Sequence, residues 1–151
     1  MSESFSIKWN NIYINVLICN DVIQSLTFSK TPTPNTGCSE IYKSLKKDLA
    51  NYISGKKVDF SIYNVRFPKS RFYKKVLKVV RNIPYGKTIT YKDLANIVSS
   101  SPRAVGQALK ANFTPIIIPC HRVISKNGIG GFSWGLEIKR KLLELEGVKL
   151  D

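Results

Sequence analysis

The hydrophobic pattern of this 151-residue chain changes its period near the middle, and this change limits the folds that the chain can adopt. In the first half, apolar residues alternate with others over Ile12–Ile18 and recur over Ile23–Phe28, which is typical of β-strands joined by a turn. From Ser70 onward they recur at helical spacing. The sequence therefore predicts an α/β protein of the α+β kind. A small antiparallel-sheet N-terminal lobe, residues 1–64, would precede a mostly helical C-terminal lobe, residues 65–151.

Further elements of the N-terminal lobe follow from turn residues and spacing. Turn-forming residues at 31–37 precede a helix that is predicted over roughly 39–54. Val58, Phe60 and Ile62 then alternate, which predicts a short strand before the connection 64–69.

The C-terminal lobe contains two short predicted helices around a tight turn. Thr90 can cap the first helix, Ser99–Ser101 interrupts the pattern, and Pro102 suits the first turn of the second helix. This arrangement indicates a helix-turn-helix, a motif that many DNA-binding proteins use but that also occurs in proteins that do not bind DNA.

The charge of the chain favours a polyanionic partner. Twenty-four Lys and Arg residues against ten Asp and Glu give a formal charge of +14 and a pI near 9.8. Nucleic acid is the first candidate, and a lysine-rich solvated surface is the alternative. Charge alone does not decide between them.

Several classes of protein are disfavoured by what the sequence lacks. No apolar run approaches the roughly 20 residues that a bilayer requires, and the N-terminus shows no export signal, so we expect a cytoplasmic protein without membrane contact. The three cysteines form an odd number, so we expect free thiols. With His121 as the single histidine and no Cys-x-x-Cys spacing, we expect no metal site.

The segment Pro119–Val123 carries the groups from which chemistry is expected. Cys120 would follow a buried strand predicted at Ile116–Ile118, and a thiolate is a strong nucleophile once a base takes its proton. Neighbouring side chains diverge, so His121 would act on Cys120 through a water. Glu144 and Glu146 are both possible acceptors for the imidazole, and spacing does not distinguish them. A buried, inert cysteine beside a structural histidine is the alternative interpretation.

Six blocks of residues between Phe67 and about Leu150 make the C-terminal lobe resemble the O6-alkylguanine-DNA alkyltransferase family. The blocks, in chain order, are Ile83-Pro84-Tyr85-Gly86-Lys87 with Thr90-Tyr91, Arg103-Ala104-Val105-Gly106, Asn112, Ile118-Pro119-Cys120-His121-Arg122-Val123, Asn127-Gly128, and Leu142-Leu143-Glu144-Leu145-Glu146-Gly147. The first half resembles the family only in its expected strand and helix content.

The resemblance implies a DNA repair protein that transfers the alkyl group of O6-alkylguanine in double-stranded DNA irreversibly to its own Cys120. Such a protein is a monomer that reacts once and needs no cofactor. Its helix-turn-helix lies in the minor groove while the damaged nucleotide rotates out of the stack. Arg103 would fill the vacated space and Tyr91 would crowd the neighbouring phosphate. The full implied DNA-binding set is Thr90, Tyr91, Arg103, Ala104, Gly106 and Lys110.

The same resemblance assigns roles around the reactive cysteine. Cys120 would attack the alkyl carbon, His121 would act through water, Glu146 would orient His121, and Asn112 would brace the turn at the cysteine. The implied substrate-binding residues are Tyr91, Val123, Gly131, Phe132 and Ser133. Relatives often have a tyrosine in place of Phe132, so protonation of the leaving guanine by a hydroxyl at this position is not expected. Arg122 would be structural, satisfying carbonyls beneath the site.

Three other functions are weighed against this one. A non-reactive, alkyltransferase-like lesion sensor would not need Cys120. A helix-turn-helix DNA-binding regulator would explain the charge but not a cysteine-histidine pair close to a glycine-rich loop. A cysteine hydrolase is disfavoured because its base would have to be a histidine other than the adjacent one.

Overall fold

The computed structural model describes residues 2–150 as two compact units, one ending at Arg66 and the other beginning at Phe67. The division falls within the stretch 64–69 that the sequence suggests as a connection. The fold is α+β, as predicted.

The first unit begins with a three-stranded antiparallel meander. Its strands are β1 (Ser2–Trp9), β2 (Ile12–Cys19) and β3 (Val22–Ser29), in the order β1-β2-β3. Tight turns join them, with Asn10, Asn20 and Asp21 at positive φ. β2 and β3 match the predicted strands. The prediction did not include β1, although Phe5, Ile7 and Trp9 alternate with polar residues and gave a strand signal that the sequence analysis missed.

Helix α1 (Glu40–Ile53) covers this sheet and agrees with the helix predicted over 39–54. Ser39 caps it by accepting a hydrogen bond from the Tyr42 amide. The strand predicted around Phe60 was wrong. The Asp59 carboxylate accepts a hydrogen bond from the Ser61 amide at 2.9 Å and bends the chain into a turn, which leaves Ile62 73% exposed.

The second unit consists of helices around a short parallel strand pair. The helices are α2 (Arg71–Arg81), α3 (Tyr91–Ile97), α4 (Pro102–Lys110) and α5 (Leu136–Leu145), and the strands are β4 (Ile89–Thr90) and β5 (Val123–Ile124). None of the helices within residues 2–150 is long and apolar enough to span a membrane.

The predicted helix-turn-helix is present as α3 and α4. Thr90 and Ser101 cap the two helices, each accepting a hydrogen bond from the backbone amide three residues on, and Pro102 occupies the first turn of α4. Helix α4 packs on α2, with Val105 and Ala108 fully buried. Capping residues and an apolar face therefore fix this motif locally.

The strand predicted at Ile116–Ile118 was wrong, although all three isoleucines are buried. Ile116 has a φ of +74°, and the Ile118 amide donates to the Thr114 carbonyl at 2.9 Å. This closed loop leads into a single 3-10 turn, Cys120–Arg122. Cys120 is thus presented by a turn and not by a strand end.

Candidate active site

Cys120 lies at the edge of a cavity of about 600 Å³ in the second unit. This volume is within the range of small-molecule sites in proteins. Its lining residues come from the start of α3, from α4, from the Cys120 turn and from the loop before α5. They are Thr90, Tyr91, Lys92, Pro102, Arg103, Gly106, Leu109, Lys110, Cys120, Ser125, Lys126, Gly131, Phe132 and Ser133.

Asn112 holds both the Cys120 thiol and the loop that precedes it. Its Nδ2 donates to the Ile118 carbonyl at 3.0 Å and to Cys120 Sγ at 3.3 Å, while its Oδ1 accepts from the Thr114 amide at 3.0 Å. Cys120 is only 7% exposed. The amide therefore fixes the position of the sulfur and would stabilise a negative charge on it.

A buried cluster of His121, Arg122 and Glu146 lies next to this turn. Glu146 Oε2 is 2.6 Å from His121 Nε2, and the Arg122 guanidinium donates to both carboxylate oxygens, at 2.8 and 3.0 Å. Arg122 Nη1 also donates to the Ile83 carbonyl at 2.6 Å, and the Gly86 amide donates to Glu146 Oε1 at 3.0 Å. The Glu146 carboxylate thus contacts the side chains of His121 and Arg122 and also accepts a hydrogen bond from the Gly86 amide.

The hydrogen bonds of this cluster define its protonation. Burial alone would raise the pKa of Glu146, but the bonds from His121 and Arg122 hold that pKa well below its usual value. Burial lowers the pKa of His121, and the Glu146 carboxylate only partly opposes this. A neutral His121 beside an ionised Glu146 donates from Nε2, so its Nδ1 is the basic nitrogen.

Opposing effects act on the pKa of the Cys120 thiol. Burial raises the pKa of Cys120, whereas the hydrogen bond from Asn112 and the charge of Lys139 lower it. The resting thiol is therefore protonated, and its ionisation depends on the groups that surround it.

Lys139 is a site residue that the sequence analysis missed. It is fully buried, and its Nζ donates to the carbonyls of Val123 at 2.7 Å and Gly131 at 2.8 Å. Burial lowers its pKa to about 8, while Cys120 raises it. Its position three residues before Leu142 places it on the apolar face of α5, and a lysine on such a face was the available signal.

Tyr91, at the start of α3, contacts the glycine-rich loop before α5, which contains Gly128, Gly130, Gly131 and Gly135. Its hydroxyl accepts from the Gly131 amide at 3.1 Å and lies 3.2 Å from the Gly131 carbonyl. Gly130 has a φ of +75°, and a Cβ there would lie 2.7 Å from the Tyr91 ring. Only glycine allows the loop to approach this ring so closely.

Comparisons with known proteins agree with this geometry. Residues 71–148 match the model of the 6-O-methylguanine DNA methyltransferase DNA-binding domain. The methylated-DNA–protein-cysteine methyltransferase of Archaeoglobus fulgidus is 41% identical over 150 residues, covering 95% of this chain and 99% of its own. The chain belongs to this family.

Two further relatives show the same likeness. The Metallosphaera sedula methylated-DNA–protein-cysteine methyltransferase is 44% identical over 128 residues, covering 85% of this chain and 82% of its own. The crystal structure of Mycobacterium tuberculosis OGT in complex with DNA has a TM-score of 0.81 at 29% identity, covering 95% of this chain and 91% of that one.

The structure brings most of the residues that the family resemblance singled out to one place. Thr90, Tyr91, Arg103, Gly106, Lys110, Cys120, Gly131, Phe132 and Ser133 line the cavity. Asn112 bonds to the Cys120 turn, His121 belongs to it, and Glu146 pairs with His121. Ala104, predicted to contact DNA, is half-buried on α4 and is not among the lining residues of the cavity, and the Val123 carbonyl accepts a hydrogen bond from Lys139.

A Lys139→Met variant is expected to lower the reactivity of the Cys120 thiol. Loss of the positive charge removes a group that favours the thiolate, so alkylation by iodoacetamide at pH 7 should slow on the order of tenfold. Because the pKa of Lys139 is about 8, the difference from wild type should shrink as the pH rises above 8.

The measurement is the rate of Cys120 labelling against pH, followed by peptide mapping so that Cys19 and Cys38 are not counted. Lys141→Met, on the same helix but partly exposed and paired with Glu137, is the matched control and should label at the wild-type rate. A difference that stays constant through pH 10 would contradict an electrostatic role.

Proposed function

We propose that this protein repairs DNA by transferring the alkyl group of O6-alkylguanine to Cys120. The observation that carries the proposal is a thiol held by Asn112 at a cavity large enough to admit a nucleobase, with helix-turn-helix residues on the cavity wall. Membership of the methyltransferase family supports it.

In the proposed reaction, Cys120 Sγ attacks the alkyl carbon, the bond from that carbon to guanine O6 breaks, and a thioether forms. The thiol proton passes through a water to His121 Nδ1, and the leaving guanine gains one proton, so the net reaction exchanges an alkyl group for a proton. Glu146 stabilises the transient imidazolium through Nε2. Lys139 and Asn112 stabilise the negative charge on sulfur before attack.

The proposed reaction ends after one cycle. A thioether on Cys120 has no good leaving group, and nothing in the proposed chemistry regenerates the thiol. The protein would therefore act as a stoichiometric reagent. One chain supplies every group that the reaction requires, so we propose a monomer, and a DNA substrate places its action inside the cell.

The depth of Cys120 requires that the damaged base leave the helical stack. A thiol that is 7% exposed cannot reach an alkyl group inside a duplex. Extruding a nucleotide costs a few kcal/mol, which a side chain that fills the vacancy can offset. We propose that Arg103 supplies that side chain, that Tyr91 crowds the phosphate, and that Gly106 allows close approach of α4 to the minor groove.

The decisive experiment uses duplex DNA that carries one O6-methylguanine. After incubation, the intact mass of the protein should increase by one methyl group per chain, and peptide mapping should place it on Cys120. No increase in mass despite binding of the duplex would favour a non-reactive lesion sensor and would refute alkyl transfer.

An Arg103→Ala variant is expected to react poorly with duplex DNA but normally with the free base. Loss of the group that fills the vacancy should cost about 2 kcal/mol, or roughly a 30-fold lower rate on the duplex. Transfer from free O6-methylguanine needs no extrusion and should change less than about twofold. Arg140→Ala, at an exposed position of α5 that does not line the cavity, removes the same charge and is the control that should leave both rates unchanged. Equal losses on both substrates would rule out the proposed role.

A further inference from the structure

Helix α2 presents a basic stripe on its exposed side. We use this name for Arg71, Lys74 and Lys78, which are all exposed and which lie on one face of the helix because they are three and four residues apart. Lys69, just before the helix, is also exposed. The helix from Arg71 to Arg81 is about 15 Å long, enough to follow several phosphates of a duplex, which carries one charge per roughly 1.7 Å of its axis.

The surrounding sequence does not neutralise this charge. Between Asp59 and Asp93 the chain has no acidic residue and nine basic ones, counting Arg66, Lys69, Arg71, Lys74, Lys75, Lys78, Arg81, Lys87 and Lys92. Within residues 2–150, no carboxylate lies within salt-bridge distance of the basic stripe. Like charges spaced three and four residues apart destabilise a helix, so a merely solvated face would be more stable with alternating signs.

An aromatic ring orders two of these side chains. The ammonium groups of Lys74 and Lys78 lie 5.7 and 5.9 Å from the centre of the Phe67 ring. Such cation–π contacts restrict the positions of the two ammonium groups, and both lysines remain exposed, so their charges stay accessible to a partner. The two charges are therefore arranged before any partner binds, which lowers the entropic cost of binding.

The basic stripe does not belong to the DNA-binding surface already described. The buried side of α2, with Val76, Leu77 and Val80, packs against α4 and the Cys120 turn. The stripe lies on the other side of the same helix, and none of its residues lines the cavity. We therefore do not expect a straight duplex bound to α4 to contact the basic stripe as well.

We propose that the basic stripe binds the sugar-phosphate backbone of a second, undamaged DNA segment while α4 holds the first. Contacts with phosphate are independent of sequence, so the second segment can be any duplex. The protein could then pass from one segment to another without first dissociating into solution. This inference rests on the DNA binding of the proposed function but not on its chemistry.

The test measures how fast the full-length protein leaves a fluorescent, undamaged duplex of about 20 base pairs when unlabelled duplex is added. If a second segment binds before the first leaves, the dissociation rate rises with competitor concentration, by at least about threefold over the accessible range. The variant R71Q/K74Q/K78Q should show a rate that does not depend on competitor. The variant K43Q/K47Q/K57Q removes the same charge from exposed positions of the first unit and should behave as wild type.

Three outcomes would overturn the proposal: a wild-type rate independent of competitor, a competitor effect that survives in the stripe variant, or an equal loss in both triple variants. A wild-type rate independent of competitor would mean that the basic stripe does not bind a second DNA segment. An equal loss in both triple variants would mean that the effect depends on the net charge of the protein and not on the position of the stripe. Methyl transfer from a short duplex with one lesion is measured in parallel. Its absence would refute the alkyl-transfer chemistry and leave the dissociation result intact, because that duplex is undamaged.

Discussion

A Cys120→Ala variant is expected to bind duplex DNA carrying O6-methylguanine about as tightly as wild type and to gain no methyl group. The proposed DNA contacts come from α3 and α4, whereas Cys120 is a buried residue of the 3-10 turn, so the substitution removes the acceptor and leaves the proposed DNA-contacting residues unchanged. Transfer should fall below detection, since no other group near the lesion is a comparable nucleophile.

Fluorescence anisotropy measures the binding, and intact mass measures the transfer. Cys38→Ala is the matched control because Cys38 is an exposed thiol of the first unit, and that variant should still gain one methyl group per chain. Methylation of the Cys120→Ala variant would show that another residue is the acceptor.

A Glu146→Gln variant is expected to lose about 3–5 kcal/mol of unfolding free energy, because it leaves the buried Arg122 guanidinium without its counter-charge. It should also slow alkyl transfer, since a neutral amide stabilises an imidazolium less well than a carboxylate. Urea denaturation measures the stability. Glu144→Gln is the control: Glu144 is exposed two residues earlier, and its substitution should cost less than about 0.5 kcal/mol. A small loss in Glu146→Gln would mean that the cluster is not essential to the fold.

The stability difference between wild type and Glu146→Gln is also expected to depend on pH. The folded pKa of Glu146 lies below its ordinary value of 4.5, so the ionised carboxylate stabilises the fold above pH 4.5 and the contribution declines as the pH falls below it. The gap between wild type and Glu146→Gln should therefore narrow on acidification below about pH 5. A gap that widens there would contradict an ionised Glu146 in the native state.

The parts of the fold that short-range chemistry determines were predictable. Caps at Thr90 and Ser101, with Pro102 in the first turn, define the helix-turn-helix from a few neighbouring residues. The strand prediction at Ile116–Ile118 was wrong because hydrogen bonds outside the apolar pattern determine the conformation of this segment. Its apolar run indicated burial correctly, but Asn112 and Thr114 close the segment into a loop through hydrogen bonds that periodicity does not reveal.

The site shows the same contrast. The spacing of the sequence does not distinguish Glu144 from Glu146 as the partner of His121, and only the resemblance to the alkyltransferase family favoured Glu146. In the structure Glu146 is the C-cap that follows α5, and its side chain is buried, whereas Glu144 is exposed. Lys139 went unnoticed because lysines are usually placed on the solvated face of a helix, and its two carbonyl partners belong to other segments.

In the proposed single-cycle reaction, the burial of Cys120 has a further consequence. Oxidants and small electrophiles attack thiolates far faster than thiols, and the raised pKa of Cys120 keeps the sulfur protonated and enclosed at rest. Oxidation of Cys120 to a sulfinic or sulfonic acid would remove one protein molecule as completely as a repair does. The same enclosure that forces the damaged base to leave the stack therefore preserves the stock of unreacted protein between lesions.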